Sequence, residues 1–197
     1  RKLKVATKSL AGFSLLLGLD NTKGKKVDLS HHNVYFPENY DAEFDEIFTK
    51  KVPVSDPTIY ICAPKDDSMV KGVDKEAWFV LVNAPRHDPE NGWNWNSGGD
   101  QYSEKIIKKL DRLGLNVSNR IDFMKFRTTS DLENYALAPG GSIYGTSSNS
   151  AASAFLRARN RSKINGLFCV GGSAHPGGGL PLVGISAEIV ANAIGKS

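Results

Sequence analysis

The sequence has only two cysteines, Cys62 and Cys169, among its 197 residues. Each lies among apolar neighbours, as small core residues commonly do, so we predict neither a disulfide framework nor a cysteine metal site. This cysteine usage is typical of a reducing compartment. No apolar run reaches the about 18 residues that a membrane-spanning helix needs, and no signal peptide is visible. Within these residues the sequence therefore predicts neither a disulfide-stapled domain nor a membrane span.

A second absence concerns the start of the chain. No G-x-G-x-x-G motif occurs near residue 1, although a dinucleotide-binding fold carries one in its first strand–turn–helix unit. The chain also begins at Arg1 rather than at a methionine. We therefore expect it to be a piece of a longer protein.

The composition is that of an ordinary globular protein, with 40% hydrophobic and 23% charged residues. The formal net charge is +4, and the isoelectric point is near 9.0. Lysines and arginines are scattered rather than grouped in a stripe, so we predict no nucleic-acid partner. The mild excess of positive charge reflects either a solvated surface or attraction to an anionic membrane or to cofactor phosphates.

Metal and hydrolase chemistry are not predicted. His31 and His32 begin a predicted strand at residues 31–36, where alternation would send them to opposite faces and prevent them from sharing an ion. No carboxylate or cysteine stands at metal-ligand spacing from them, so we expect no metal site. The serines between residues 142 and 153 have no recognisable histidine and aspartate partners, which argues against Ser/His/Asp hydrolysis.

Hydrophobic periodicity and turn residues predict a mixed α/β chain. The predicted strands are residues 11–19, 31–36, 58–62, 77–82, 121–127 and 167–170. The predicted helices are residues 41–50, 101–114 and 182–194, with a short helix after a capping box at residues 130–133. Residues 83–99 and 138–150 are predicted loops. We expect a mixed-sheet region at residues 1–150 and, at residues 151–197, one returning element of a second domain.

The end of the chain is its most informative part. Residues 167–170 are apolar and predict a buried strand, which Gly171 and Gly172 follow directly. Pro181 then opens a run with helical apolar spacing. A strand, glycines and a helix start allow close approach to a cofactor, with free N–H groups directed at a ligand oxygen. We predict half of a nucleotide-binding site; the alternative is a plain connection between strand and helix.

For the side chains in and before this turn, the sequence leaves two interpretations open. His175 lies inside the turn and either fills space or bonds a cofactor or substrate. Arg157, Arg159 and Arg161 precede the glycines. They form either a solvated basic loop or a contact with an anionic cofactor or with another domain.

The sequence around the glycine turn resembles that of a known protein family. Residues 166–181, with Gly171-Gly-Ser-Ala-His-Pro-Gly-Gly-Gly179, resemble the C-terminal signature of bacterial carotenoid desaturases of the phytoene desaturase (phytoene dehydrogenase) type. Weaker matches follow the same order along the chain, at residues 17–20, 31–36, 43–48, 140–145 and 155–160. The best-known phytoene desaturases more often carry Gly-Thr-His-Pro-Gly-Ala-Gly in this turn. The form found here is closer to that expected of hydroxycarotenoid desaturase-like members.

The resemblance implies an FAD-dependent flavoprotein of which this chain is the C-terminal part. It would comprise a mixed-sheet substrate domain and the last strand and helix of a Rossmann-like FAD-binding domain. Backbone around the first glycines would meet the linker of the cofactor, and the helix start would face its ring system. The residues expected to bind FAD are Gly171, Gly172, Ser173, His175, Gly178, Gly179, Pro181, Leu182 and Val183.

The resemblance also implies a reaction and a substrate. Family members act on long apolar polyenes delivered from the membrane, so we expect a bacterial cytoplasmic protein that associates peripherally with membranes. Desaturation moves a hydride equivalent from an allylic C–H to flavin and removes a proton from the adjacent carbon; no residue stands out as the base.

Strand residues would line the substrate tunnel, and three aromatic residues are further candidates for an apolar cavity or, alternatively, for core and loop anchors. The tunnel strands are residues 11–19, 31–36 and 77–82, and the aromatic residues are Phe79, Trp93 and Trp95. Two other readings stay open. One is a non-catalytic module that binds a lipid or a partner protein. The other is a related flavoprotein, either amine oxidase-like or a polyene saturase or isomerase.

Overall fold

The computed structural model describes residues 6–66, 68–70, 72–147 and 157–195. The chain forms two compact units. The sheet unit is Ala11–Gly141, and the glycine-turn unit combines Arg1–Leu10 with Ser142–Ser197. The mixed α/β class is therefore confirmed. The division of the chain into domains at residues 1–150 and 151–197 stays a prediction.

Within its described residues, the sheet unit contains five strands, three α-helices and a π-helical turn. Its elements are β1 Ala11–Asp20, β2 His32–Tyr35, α1 Tyr40–Phe44, a π-helical turn Asp45–Lys50, β3 Ile59–Cys62, β4 Lys75–Ala84, α2 Trp95–Arg112, β5 Ile121–Arg127 and α3 Thr129–Ala136. The five predicted strands of this unit are confirmed, with ends that differ by at most two residues.

The strands form one five-stranded sheet in the order β2-β3-β4-β1-β5, in which every neighbouring pair is antiparallel. β1 lies opposite β4 over its whole length, from the Ala11–Ala84 pair to the Asp20–Lys75 pair. On its other side β1 pairs with β5, and the register shifts after Gly18. The central strand β1 thus fixes which side chains share each side of the sheet.

The inner side of the sheet packs against α2. The fully buried residues of this core include Phe13, Leu15, Leu19, Ile59, Ile61, Val80, Trp95, Ile106 and Leu110. The Phe13 ring stacks on Trp95 with centroids 5.6 Å apart and meets the edge of Tyr102 at 5.1 Å. Because the core residues of each strand alternate with other residues, their neighbours along the strand must face the other side of the sheet.

Helix α2 begins six residues earlier than predicted. Asn94 caps it by accepting a hydrogen bond from the Asn96 N–H at 3.1 Å. The prediction placed Gly98 and Gly99 in a loop, and it was wrong because both glycines serve packing. A Cβ on Gly99 would lie only 2.5 Å from the Phe126 ring, so a small residue is needed inside this helix.

A buried arginine closes the base of the sheet. The Arg120 guanidinium donates to Asn21 Oδ1 at 2.7 Å and to Glu76 Oε2 at 2.8 Å. It also donates to the backbone oxygens of Leu115 and Asn116. The Arg120 side chain therefore links the residue after β1, the start of β4 and the segment after α2. Its buried N–H donors are paired, as a buried charge requires.

The capping box in front of α3 lies two residues before the predicted position at residues 130–133. Thr128 is the N-cap, and its hydroxyl accepts from the Asp131 N–H at 3.1 Å. The Asp131 carboxylate accepts from the Thr128 N–H at 2.8 Å. Thr128 and Asp131 make the reciprocal pair that the prediction gave to Ser130 and Glu133. The predicted spacing was therefore correct, but the predicted position was wrong.

The glycine-turn unit contains α4, Leu180–Ile194, which confirms the predicted helix. The predicted buried strand at residues 167–170 is wrong for the described chain. Leu167, Cys169 and Val170 are exposed, and the only ladder contact is an isolated bridge between Phe168 and Arg161. A strand needs neighbouring backbone to pair with, and the described residues offer only that bridge. None of the described helices is long and apolar enough to cross a bilayer.

Leu110→Ala tests the core beneath the sheet in the protein expressed from its complete natural gene. Leu110 is fully buried, so its truncation should lower the free energy of unfolding by about 2–5 kcal/mol. Leu113→Ala, at the partly exposed end of the same helix, is the matched control and should cost far less. Chemical denaturation followed by circular dichroism measures both. Equal losses would contradict this account of the core.

Candidate functional site

The side of the sheet away from the core is here called the outer face. It consists of two cross-strand rows read from β2 to β5: His32, Cys62, Phe79, Leu16 and Lys125, and Val34, Tyr60, Leu81, Ser14 and Arg127. Their positions follow from the alternation along each strand, because the residues between them are core residues. The side chains of the outer face are therefore determined by which strand residues are buried in the core.

Apolar side chains are exposed on several strands of the outer face. Leu16 on the inner strand β1 is 40% exposed although Leu15 and Leu17 beside it are buried. Phe123, opposite Gly18 on β5, is 53% exposed, and Val34 on β2 is 50% exposed. Exposed apolar side chains grouped on one face are a feature of binding surfaces. The outer face can hold an apolar ligand, and three of its strands are those predicted to line a substrate tunnel.

Most polar side chains of this face lie on the strands toward its edges, β2, β3 and β5. Among the described residues, the Ser14 hydroxyl in the middle of the second row makes no hydrogen bond. Lys125 and Arg127 stand at the β5 end, where the Arg127 guanidinium lies 5.5 Å from the centre of the Tyr135 ring. An apolar ligand would therefore meet a single uncommitted hydroxyl along the centre and positive charge at one edge.

The three aromatic candidates are not brought together. Trp95 is a core residue, and Phe79 lies on the outer face. Trp93 lines a cavity of about 900 Å³ together with Val52, Pro53 and Tyr102. Only Phe79 thus belongs to the predicted tunnel surface.

His31, His32 and Cys62 correct the prediction that the two histidines point apart. His31 precedes β2 rather than lying within it, so strand alternation does not apply, and the two rings are 4.4 Å apart. Cys62 lies directly opposite His32 in the register. One ligand atom from each of the three residues lies within 4.8 Å of the other two.

Tyr60 lies beside this cluster. Its hydroxyl is 2.8 Å from His32 Nδ1. Burial raises the pKa of the Tyr60 phenol, and a hydrogen bond with Cys62 raises it further. The phenol therefore stays protonated beside the His32 imidazole.

In the glycine-turn unit, one buried amide holds the turn together. Asn160 Nδ2 lies 3.1 Å from the Cys169 carbonyl oxygen, 2.8 Å from that of His175 and 2.9 Å from Ser186 Oγ. Ser186 Oγ also accepts from the Gly171 N–H at 3.2 Å. The segment before the turn, the turn itself and helix α4 are thus joined through the side chains of Asn160 and Ser186.

Tyr144 explains why glycines are needed inside the turn. A Cβ on Gly178 would overlap the Tyr144 ring, and one on Gly172 would lie 3.3 Å from it. By contrast, a Cβ on Gly171 would meet nothing within 4 Å, but its φ of 113° suits only glycine. The turn therefore has one side filled by an aromatic ring and another side open.

The open side continues at the start of α4. The N-cap Gly179 provides no side chain, and Pro181 has no N–H to satisfy. The Val183 N–H donates to the Gly179 carbonyl oxygen at 2.9 Å, so a role for Val183 in binding would rest on its side chain. An uncapped helix start beside an open glycine is the arrangement that receives phosphate and other negatively charged groups of dinucleotides. These residues fit the FAD that the resemblance implies.

The predicted cofactor residues thus lie in one continuous turn and helix start, with Ser173 and His175 exposed. Two of the three arginines have backbone partners: Arg157 donates to the Tyr144 carbonyl oxygen, and Arg161 donates to that of Ala193. Asn160 and Ser186 were missed as organising residues. No local pattern marks them, because their partners are distant in sequence.

The comparisons with known proteins agree with the resemblance. The chain is 40% identical over 171 residues to a 1-hydroxycarotenoid 3,4-desaturase of a Flavobacterium species, a match that covers 84% of this chain and 34% of that protein. It is 30% identical to the hydroxyneurosporene desaturase of Rubrivivax gelatinosus, over 92% of this chain and 34% of the relative. It is 34% identical to the zeta-carotene-forming phytoene desaturase of Myxococcus xanthus, over 91% of this chain and 34% of the relative.

No protein-family profile matches the chain. The matched relatives are oxidoreductases that act on carotenoids, according to their names. The chain spans about a third of the length of these relatives, and it belongs to the carotenoid desaturase family.

Asn160→Ala tests the organisation of the turn in the complete natural protein. Two backbone carbonyls and the Ser186 hydroxyl lose a donor in a buried place, so the free energy of unfolding should fall by about 1–3 kcal/mol. The fraction of protein purified with flavin should fall as well. Asn165→Ala, at an exposed position nearby, is the control. Wild-type melting temperature and flavin content in the Asn160 variant would contradict the role of this amide.

Proposed function

We propose that this chain is the C-terminal part of an FAD-dependent desaturase that introduces double bonds into a carotenoid or related polyene. The observation that carries the proposal is the homology to carotenoid desaturases, which runs along nearly the whole chain. The outer face and the glycine turn each supply what such an enzyme needs. The former offers an apolar surface, and the latter fits a dinucleotide.

The outer face is proposed to hold the polyene. A polyene presents many C–H groups and few polar atoms, so apolar side chains that exclude water provide most of its binding. Leu16, Phe79 and Phe123 supply this surface from three adjacent antiparallel strands. Because the strands are hydrogen-bonded along their length, these side chains keep a fixed spacing and can orient an extended chain.

The glycine turn is proposed to hold FAD as the last element of a Rossmann-like domain. Backbone at Gly171 and Gly172 would approach the linker of the cofactor, and the N–H groups at the start of α4 would stabilise negative charge. Exposed Leu180 and Leu182 beside this helix start would exclude water. When bound, FAD supplies the acceptor for the hydride removed in desaturation.

A hydroxylated carotenoid is the proposed substrate class. The turn sequence is of the form expected for hydroxycarotenoid desaturases, and two of the relatives named above act on hydroxylated substrates by their names. Ser14 offers a hydroxyl without a protein partner on the outer face, where it can bond a substrate hydroxyl. The excess of positive charge, +4 overall, favours peripheral contact with an anionic membrane surface that holds such substrates.

The reaction is tested with the protein expressed from its complete natural gene and purified with FAD. Under anaerobic conditions, mixing with a 1-hydroxylated carotenoid should bleach the flavin absorbance and shift the polyene absorbance to the red, and phytoene should react more slowly. Bound flavin that stays oxidised with both substrates would remove the carotenoid proposal. Protein without bound flavin would favour a non-catalytic binding module.

Ser14→Ala tests the substrate class separately. If Ser14 bonds the substrate hydroxyl, kcat/KM should fall roughly tenfold for the hydroxylated carotenoid, as expected for the loss of one hydrogen bond, and stay unchanged for phytoene. Thr22→Ala is a control outside the outer face, with a hydroxyl bonded to Asp20. An equal fall for both polyenes, or none for the hydroxylated one, would contradict this role of Ser14.

A further inference from the structure

The cluster of His31, His32 and Cys62 has no role in the proposed desaturation, although it lies at one end of the outer face. The backbone places the three residues firmly. His32 pairs with Cys62 in the β2–β3 ladder, and the Ala63 N–H donates to the His31 carbonyl oxygen at 2.8 Å. Both histidines are therefore held beside the end of β3 by hydrogen bonds that do not involve their side chains.

The spacing of the ligand atoms suits a small coordination sphere. One nitrogen of each imidazole and the Cys62 sulfur lie within 4.8 Å of one another. In a tetrahedral site with metal–nitrogen bonds near 2.0 Å and metal–sulfur bonds near 2.3 Å, ligand atoms are roughly 3.5 Å apart. Both imidazoles are exposed and can rotate by the small amount required, while Cys62 is half-buried in the sheet.

The chemistry of this donor set selects the ion. A thiolate with two imidazoles and no carboxylate is a set for Zn²⁺ or another borderline to soft metal ion, and it disfavours Mg²⁺ and Ca²⁺. Three protein ligands leave a fourth position, which water can fill at an exposed site.

A further residue is placed to support the ligands. The Tyr60 hydroxyl lies 2.8 Å from His32 Nδ1. Tyr60 is two residues before Cys62 on β3, so both side chains point to the outer face. Hydrogen bonds of this kind commonly fix the orientation of metal-bound imidazoles.

We propose that His31, His32 and Cys62 form a binding site for a zinc-like ion, completed by water, which fastens the edge strand β2 to β3. β2 has only four residues and one neighbouring strand, so a bond across this ladder would stabilise the edge of the sheet. The site does not depend on the proposed desaturase activity, and its test needs no substrate.

Cobalt is the probe, because Co²⁺ adopts the geometry of zinc sites and its bond to a thiolate gives a charge-transfer band. The complete natural protein, reduced and freed of metal with a chelator, is titrated with Co²⁺. We expect one tightly bound ion per chain, a thiolate charge-transfer band, and displacement of the cobalt by Zn²⁺. Zn²⁺ should also raise the melting temperature, since an ion that binds only the folded state stabilises it.

Variants assign the ligands. Cys62→Ser should abolish the charge-transfer band, and His31→Ala or His32→Ala should weaken cobalt binding at least tenfold. The control is Cys169→Ser, which removes the second cysteine of this chain, an exposed free thiol, and should leave binding unchanged. Melting curves without metal show that each variant folds.

Four outcomes would overturn the site. The first two are the absence of cobalt binding in the wild-type protein and a band that survives in Cys62→Ser. The others are a band that disappears in Cys169→Ser and normal binding in both histidine variants.

Discussion

The backbone pairing of β1 with both β4 and β5 is the constraint on which the sheet unit depends. A strand bonded on both sides cannot rotate, so burying Phe13, Leu15 and Leu17 forces Ser14 and Leu16 to the opposite side. The same pairing carries this alternation outward to β3 and β5. The core and the proposed ligand surface are therefore two sides of one pattern, and a shift of register by one residue would exchange them.

The glycine-turn unit depends on a different kind of interaction. Its turn makes few regular backbone contacts, and the Asn160 amide replaces them by bonding two carbonyls and a helix hydroxyl. Such a centre holds the backbone in place while leaving the helix start uncapped. The exposed surface here, with Leu180 at 89% exposure, needs a covering group, which the proposed flavin domain would provide.

Local sequence patterns predicted the helices and strands of this chain better than they predicted its tertiary contacts. The alternation of residues 121–127 defined β5 with the correct bounds, and the proline and apolar spacing located α4. By contrast, Gly99 in the second turn of α2 was predicted to lie in a loop, because the Phe126 ring that requires a small residue there is distant in sequence. The pairing of His32 with Cys62 and the partners of Asn160 are likewise set by tertiary packing, which no local spacing encodes.

The close packing of the Tyr144 ring on Gly178 limits which residues relatives can carry at these two positions. Because the Tyr144 ring occupies the space of a Cβ at position 178, an alanine there would require the ring to move or a smaller residue at position 144. By the resemblance described above, the more common phytoene desaturase form of the turn carries alanine at this position. We therefore expect that form of the turn either to lack the aromatic ring or to hold it in another place.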